Sequence, residues 1–491
     1  MPEFMFLLVI LLPAISGLLV YVLPFKKEKV WHWFLEIMMI LTSVLVWMII
    51  LNRPDGVFTL VRFTGDLAIQ FRIDGLSMVF SGLVASLWPL ATLYSFEYMT
   101  KEERRESFFM FYSMTYGVTL GISLSANLLT MYVFYEMLTL VTFPLVMHTL
   151  KREAILASRK YLYYSLGGAA FAFIGLVFIL TFGSTSDFIF GGVLDAAKIG
   201  EKAQVLRLIY VFAFMGFGVK AAIWPFNSWL PQAGVAPTPV TALLHAVAVV
   251  KAGAFAIIRL TYYSYGPEFL RGSFAQYTVM AFTMFTIVYG CSRAVKETHI
   301  KRRLAYSTIS NLSYILFGAA LMTPAGLVGG LAHMVFHATM KICSFFCAGS
   351  VMYVTEKHYV HELDGIGKKM PGVMTIFTIS AFALMGVPGL CGFISKYYLA
   401  TAAVDSKDPM AYVGIACLLA SALLTAIYML SIVVRAFFPA KGFDYSVWDG
   451  IKDPGWKMML PLTLFAIAML VFGLYNEPLI TFFTNIAAGL I

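Results

Sequence analysis

Five ionisable side chains stand where a chain seldom keeps any. Lys220, Lys251, Lys341 and Lys396, with the carboxylate of Glu136, all lie inside long apolar runs. A lysine near the centre of a bilayer costs roughly 2.5–3.5 kcal/mol on insertion scales, so each is a functional candidate by default. Proton exchange is the chemistry they suit, because desolvation and a neighbouring charge act on an amine in opposite directions. Glu136, in Met131-Tyr-Val-Phe-Tyr-Glu-Met-Leu-Thr-Leu, needs a partner; a lysine would keep it ionised, and movement of that charge would change the lysine's proton affinity. A fixed ion pair tying two helices together is the structural alternative.

Histidines add to the pattern. His333, His337 and Lys341 recur every four residues in Leu331-Ala-His-Met-Val-Phe-His-Ala-Thr-Met-Lys, close to one face of a helix. Imidazole exchanges a proton near neutral pH, so such a stripe can hold water and pass protons. His245 and Lys251 stand six residues apart, about 9 Å along a helix axis and on different faces; small neighbours such as Ala246, Ala252 and Gly253 permit close helix packing. A lone core histidine or a snorkelling lysine is an ordinary structural feature, but four intramembrane lysines exceed what packing requires. A metal would want a glutamate in the HExxH position and a third ligand, and haem would want axial histidines from facing helices, with His245 as the partner at hand. Neither a metal nor a cofactor is expected.

The elements that must hold these groups are helices broken at two places. One run reads Lys220-Ala-Ala-Ile-Trp-Pro-Phe-Asn-Ser-Trp-Leu-Pro, where Pro225 removes a backbone donor. The other reads Met385-Gly-Val-Pro-Gly-Leu-Cys-Gly-Phe-Ile-Ser-Lys396, with Gly386, Pro388 and Gly389 in one break. The lysine precedes the first break and follows the second. Paired broken helices in two halves point to an ion site at a repeat interface, and their freed backbone groups are tolerated at depth only where protein or water satisfies them.

Composition places all of this in a membrane. The 491 residues are 60% hydrophobic and 12% charged, against roughly 25% charged for soluble domains. This excludes a soluble catalytic module, a disordered chain and a secreted disulfide scaffold, while helix-length apolar runs exclude an outer-membrane barrel. The five cysteines lie in apolar stretches without CxxC spacing and read as small hydrophobes. At about 20 residues per crossing the chain supports about fourteen spans: 4–24, 30–51, 74–98, 108–125, 128–150, 160–183, 205–230, 239–263, 274–292, 304–322, 326–354, 371–402, 410–437 and 457–475. The first is read as a retained helix rather than a signal peptide. Alternate connections hold 22 and 8 of the Lys and Arg residues, so the positive-inside rule puts the richer set in the cytoplasm and both termini outside. The net charge of +9 thus belongs to cytoplasmic loops, not to nucleic-acid binding. Arg259, near a helix end, is expected to snorkel to the interface.

These segments resemble the antiporter-like membrane subunits shared by respiratory complex I, Mrp-type cation/proton antiporters and membrane-bound energy-converting hydrogenases. The resemblance runs over nearly the whole chain and is carried by Lys220 through Arg259, with Trp229-Leu-Pro and Ala236-Pro-Thr-Pro-Val-Thr-Ala-Leu-Leu-His. It continues in Arg303-Leu-Ala-Tyr-Ser-Thr-Ile-Ser, the His333/His337/Lys341 stripe and Gly392-Phe-Ile-Ser-Lys. It implies an all-α polytopic membrane protein with two inverted five-helix repeats, each containing a broken helix. The segments would be helices 1–3 over 1–107, a first antiporter half over 108–263, a second over 274–437, and a C-terminal loop and helix over 438–491.

The resemblance further implies that Glu136 and Lys220 form a modulating pair, that Lys251 or Lys341 with the histidines are central relays, and that Lys396 is the terminal site towards the outside. The implied function is proton translocation within a multi-subunit complex of the cytoplasmic membrane. Its partners would be related antiporter-like subunits and hydrogenase, NADH dehydrogenase or Mrp subunits. A lysine at 396 departs from complex I members with glutamate there, so an Mrp or hydrogenase-type subunit fits best. Rival readings are sodium/proton exchange by this chain itself, a quinone-linked redox role and a non-transporting scaffold. The sequence shows no redox-cofactor motif, Walker loop or catalytic triad.

Overall fold

A computed structural model describes residues 4–65 and 67–491. The first helices are apolar and half-open to their surroundings: α1 (Met5–Val22) and α2 (Glu28–Asn52). A short antiparallel hairpin, β1 (Phe58–Thr64) and β2 (Leu67–Phe71), then leads into α3 (Gly75–Tyr98). Asp74 starts α3 by accepting from the Ser77 N–H at 2.9 Å, an N-cap that satisfies one orphan donor. Next come α4 (Arg105–Ser123), α5 (Leu128–Val146), capped by Asn127, and the long α6 (Arg152–Phe182). The short α7 (Ala196–Ile199) precedes α8 (Ala203–Lys220), which ends at the lysine before the first break.

Past that break run α9 (Trp229–Ala233), α10 (Thr238–Ala242), α11 (Val249–Ile258) and α12 (Pro267–Leu270). The span over 238–265 is not one regular helix: residues 243–247 and 259–265 are π-helical, with Ala248 N–H donating to Leu243 O five residues back. The remainder comprises α13 (Phe274–Lys296), α14 (Ile300–Ala320), α15 (Pro324–Thr355), α16 (Pro371–Met385), α17 (Cys391–Asp405), α18 (Pro409–Phe437), α19 (Trp456–Leu474) and α20 (Glu477–Ala487).

Among the described residues eleven helical segments are long and apolar enough to cross a membrane. Three expected spans fall outside that set for separate reasons. The basic first turn of α14 and the hydroxyl-rich α4 lower their hydropathy, and the span over 371–402 is divided into α16 and α17. The span placed at 205–230 also stops ten residues early, because residues 221–228 leave the helix.

Burial sorts the helices by role. The segment over 238–265 and almost all of α15 are buried, whereas α1, α2, α6, α18 and α19 keep apolar faces outward. Inside a bilayer, apolar side chains gain little from burial against one another, so close backbone packing does the holding. Gly168 of α6 and Gly216 of α8 illustrate it, since a Cβ on either would stand 2.7 Å from the other's carbonyl oxygen. The result is a rim of apolar helices around α15 and the 238–265 segment, which carry Lys251, Lys341 and the three histidines His245, His333 and His337.

Candidate functional site

The break after Lys220 keeps the carbonyls of Gly218 and Val219 paired. Trp229 donates its indole N–H to Val219 O at 2.9 Å, and the Ile223 N–H reaches Gly218 O at 3.0 Å. Lys220, 1% exposed, donates to Tyr135 O and lies over the Tyr135 ring. Its Nζ is 3.7 Å from Glu136 Oε1. The expected carboxylate–lysine pair is therefore present, with the lysine sealed and the carboxylate side chain 23% exposed.

Three expected residues form one hydrogen-bonded and stacked file that reaches the chain neighbour of a fourth, Lys396. Lys251 Nζ meets His337 Nδ1 at 2.6 Å, and the His337 and His333 rings stack with centroids 5.6 Å apart. His333 Nδ1 then meets Ser395 Oγ at 2.9 Å, and Ser395 is the neighbour of Lys396. Tyr314 of α14 ties the last step together: its ring stacks on His333 at 5.0 Å, and Lys396 Nζ stands 5.6 Å from its centroid. Lys251, His333 and His337 are all fully buried, while Lys396 is only partly so. Lys396 is thus the least enclosed of these residues.

At the second break, Gly386 (φ +92°) and Gly389 (φ +89°) take the left-handed backbone that glycine permits. Lys396 donates to Leu384 O at 2.6 Å and Met385 O at 2.9 Å, closing carbonyls that the end of α16 sets free. Lys341 stands one turn beyond His337 and follows a separate branch. Its amine donates to Ser307 Oγ at 2.6 Å and Leu304 O at 3.2 Å, and Ser307 meets Tyr428 Oη at 2.6 Å.

His245 and Lys251 do not point apart as their spacing suggests. The π turn between them leaves both against α15: the His245 ring lies 4.9 Å from that of Phe345. No side-chain hydrogen bond among the described residues joins the Glu136–Lys220 pair to Lys251. The two are brought together by packing, as Gly253 sits against the Ala221 backbone at the break.

Arg259 does not snorkel. It is fully buried, with Nη1 and Nη2 at 2.6 and 2.7 Å from the two Asp74 oxygens and Nη2 at 2.8 Å from Ser77 Oγ. A carboxylate 185 residues away in sequence removes the reason to reach for the interface. Tyr314, Ser395 and Ser307 are the other members that the sequence does not mark out; hydroxyls in apolar helices are too common to stand out alone.

At the opposite end of the 238–265 segment a cavity of about 320 Å³ is lined by Glu102, Lys151, Glu153, His299, Lys301 and His358. Lys301 donates to Ala236 O at 2.8 Å, beside the start of α10. Burial raises the Glu102 carboxyl above its usual range despite Lys151 and Lys301. Burial, then Lys301 and Arg302, push the His299 imidazole down to about 4. Between pH 6.5 and 4 an unfolded chain therefore takes up a proton that His299 refuses, so stability falls as pH drops through that window. His299→Gln is expected to flatten the fall in thermal midpoint over this range, measured on the assembled complex against pH.

These observations define a mostly helical membrane protein with lysines and histidines clustered in its interior. Residues 125–425 match the family described as NADH:quinone oxidoreductase/Mrp antiporter, TM, and residues 63–109 match the N-terminus of chain 5 of NADH-ubiquinone oxidoreductase (complex I). The chain belongs to this NADH:quinone oxidoreductase/Mrp antiporter membrane family. It is 29% identical over 428 residues to NADH-quinone oxidoreductase subunit N of Desulforudis audaxviator, covering 84% of this chain and 83% of that one. It is 28% identical over 458 residues to a Na(+)/H(+) antiporter subunit of Alkalihalophilus pseudofirmus, covering 87% of this chain. It spans about half of that longer relative, 54% of its length.

Two solved structures share the fold. A chain of the membrane-bound sulfane sulfur reductase, an archaeal respiratory membrane complex, superposes with TM-score 0.84 at 23% identity, covering 99% of this chain and 97% of that one. A chain of the Mrp complex from Dietzia sp. DQ12-45-1b gives TM-score 0.84 at 23% identity, covering 98% of this chain and 52% of that one.

Proposed function

We propose that this chain is a proton-translocating, antiporter-like subunit of a multi-subunit membrane complex of the Mrp or energy-converting type. The observation that carries the reading is the file Lys251–His337–His333–Ser395–Lys396, fully buried at Lys251 and least enclosed at Lys396. Lys251 is central because its contact is an imidazole, which can take a proton, whereas Lys341 meets a hydroxyl and a carbonyl. A charge change at the Glu136–Lys220 pair alters proton affinity along the file, and the proton leaves by Lys396. Partner membrane subunits supply the driving force, as suits a family whose relatives include subunits of antiporter and respiratory complexes.

The same reading assigns fourteen spans and two inverted five-helix repeats over 108–263 and 274–437, flanked by 1–107 and 438–491. In support, the lysine closes a helix before the first break and caps one across the second. Both termini face outward from the cytoplasmic membrane, with the Lys- and Arg-rich connections inside.

The test is dye-monitored proton movement in vesicles carrying the assembled complex, comparing wild type with Lys220→Ala and Lys396→Ala, with sodium present and absent. Reduced proton movement in both variants, with intact assembly, is expected. Full retention in both would return the chain to a scaffold role. Proton movement that requires sodium in wild type would instead favour sodium/proton exchange by this subunit.

A further inference from the structure

The outer helices hold a second set of ionisable groups that the file does not use. On α2, Glu28, His32 and Glu36 follow one another at four-residue spacing, rising about 6 Å per step along the helix. Exposure falls along the series. The Glu28 side chain is 44% exposed and that of His32 10%, and residue Glu36 is 8% exposed. Glu28 is paired with Arg105 at the start of α4, and its Oε1 is 3.5 Å from His32 Nε2. The His32 ring is fixed by stacking on Phe96 of α3 at 4.3 Å and by the edge of Trp31 at 4.0 Å.

Glu36 stands one turn deeper, and its Oε2 is buried without a hydrogen-bond partner. The helices facing it bring more buried polar atoms near it. Tyr112 Oη of α4 lies within electrostatic reach of Glu36 and beside the Ser95 hydroxyl of α3, and Trp88 Nε1 of α3 is buried without a hydrogen-bond partner among the described residues. The Trp88 ring packs on Tyr112 at 5.4 Å and stacks on Tyr116 at 4.8 Å, and Tyr116 Oη meets Ser43 Oγ of α2 at 2.9 Å. Buried polar groups are nearly always paired, so two orphaned atoms on facing helices, with the Tyr112 hydroxyl near them, mark a place that takes a small polar guest. Water needs two to four such partners, and this layer offers both donors and a carboxyl oxygen.

Packing alone does not require this arrangement. The rest of the buried face of α2 is Trp31, Leu35, Met39, Val46, Ile49 and Ile50 with two hydroxyls, and an apolar residue at 36 would complete it at no desolvation cost. The charged and titratable groups around the stripe are Glu28 on α2, Arg105 and Tyr112 on α4, and Lys457 on α19; α3 faces it with Ser95, Phe96 and Trp88. α1 carries no charged residue.

We propose that Glu36 is a proton-binding site with bound water, loaded from the membrane face that bears Glu28 and Arg105 through His32. Its ligand is a proton or hydronium, and it works beside the Lys251–Lys396 file. Among the described residues no hydrogen bond links it to that file, so it stands whether or not the file conducts.

The test is infrared difference spectroscopy of the assembled complex, following the protonated-carboxyl band as pH is stepped and as water is exchanged for heavy water. A titrating band in wild type is expected to vanish in Glu36→Gln, return shifted in Glu36→Asp, and persist in Glu136→Gln. In His32→Gln the band is expected to remain but to exchange several-fold more slowly. A band unchanged in Glu36→Gln, or none in wild type that depends on residue 36, overturns the site. An exchange rate unchanged in His32→Gln overturns the route. Glu36→Asp keeps the carboxyl, so a folding defect in one variant does not decide the result.

Discussion

Replacing Lys251 with methionine is expected to cut proton movement through the assembled complex at least about tenfold, a barrier increase of roughly 1.4 kcal/mol or more. Methionine keeps much of the side-chain volume in a site with no exposure, so helix packing survives while the amine is lost. His337 Nδ1 then has no partner at 2.6 Å, and the file ends at an imidazole facing apolar sequence. His337→Gln cuts the same step from the other side, and the double variant is expected to be no worse than either single one, since both remove one link. Lys341→Met is expected to cost less, because its contacts lie on the Ser307–Tyr428 branch. Wild-type proton movement in Lys251→Met, with intact assembly, would show that the file is not the path.

Arg259→Ala is expected to be the most damaging single change to stability. Removing one member of a buried pair leaves the other without compensation, at about 3–5 kcal/mol, a large share of the roughly 5–15 kcal/mol that holds a typical domain. The pair joins the start of α3 to the π turn over 259–265, and three rings (Phe188, Phe255 and Tyr263) surround the guanidinium within 5.2 Å. Arg259→Lys is expected to recover little, because one ammonium cannot span both Asp74 oxygens. Asp74→Asn with Arg259→Gln is expected to recover part of the loss by removing both charges. The thermal midpoint in detergent and the yield of assembled complex measure these effects. An unchanged midpoint in Arg259→Ala would mean the pair is incidental.

The ionisable residues are legible in the sequence because charge in an apolar run is rare and costly. Lys220, Lys251, Lys341 and Lys396 declare themselves that way, and the two breaks are announced by Pro225 and by Gly386, Pro388 and Gly389. Beyond the Glu136–Lys220 pair, who meets whom is not legible. Local sequence misplaces Arg259 because it shows the distance from a helix end but not Asp74, which only the fold brings near. The π turn over 243–247 has no marker residue, so helical spacing puts His245 and Lys251 on different faces. Glu36 stays inconspicuous between two charged loops, where a carboxylate looks peripheral until α3 and α4 close over it. The hairpin over 58–71 gives no span signal since it is too short to cross anything. It is stitched to the start of α5 by Asn127, which donates to Ala68 O at 3.0 Å, and by the Gln70 N–H, which donates to Thr130 Oγ1 at 2.9 Å.

The two π turns on either side of α11 turn this ten-residue helix into a spindle held between bearings. A π turn stores one residue more than an α turn. Passing that residue along the chain would rotate the helix by about 100° and shift it by about 1.5 Å along its axis. Because Lys251 lies near the start of the spindle and touches His337 directly, a single such click would part amine from imidazole. The Lys251–His337 contact is therefore set by a helix with one residue of slack in the backbone at each end.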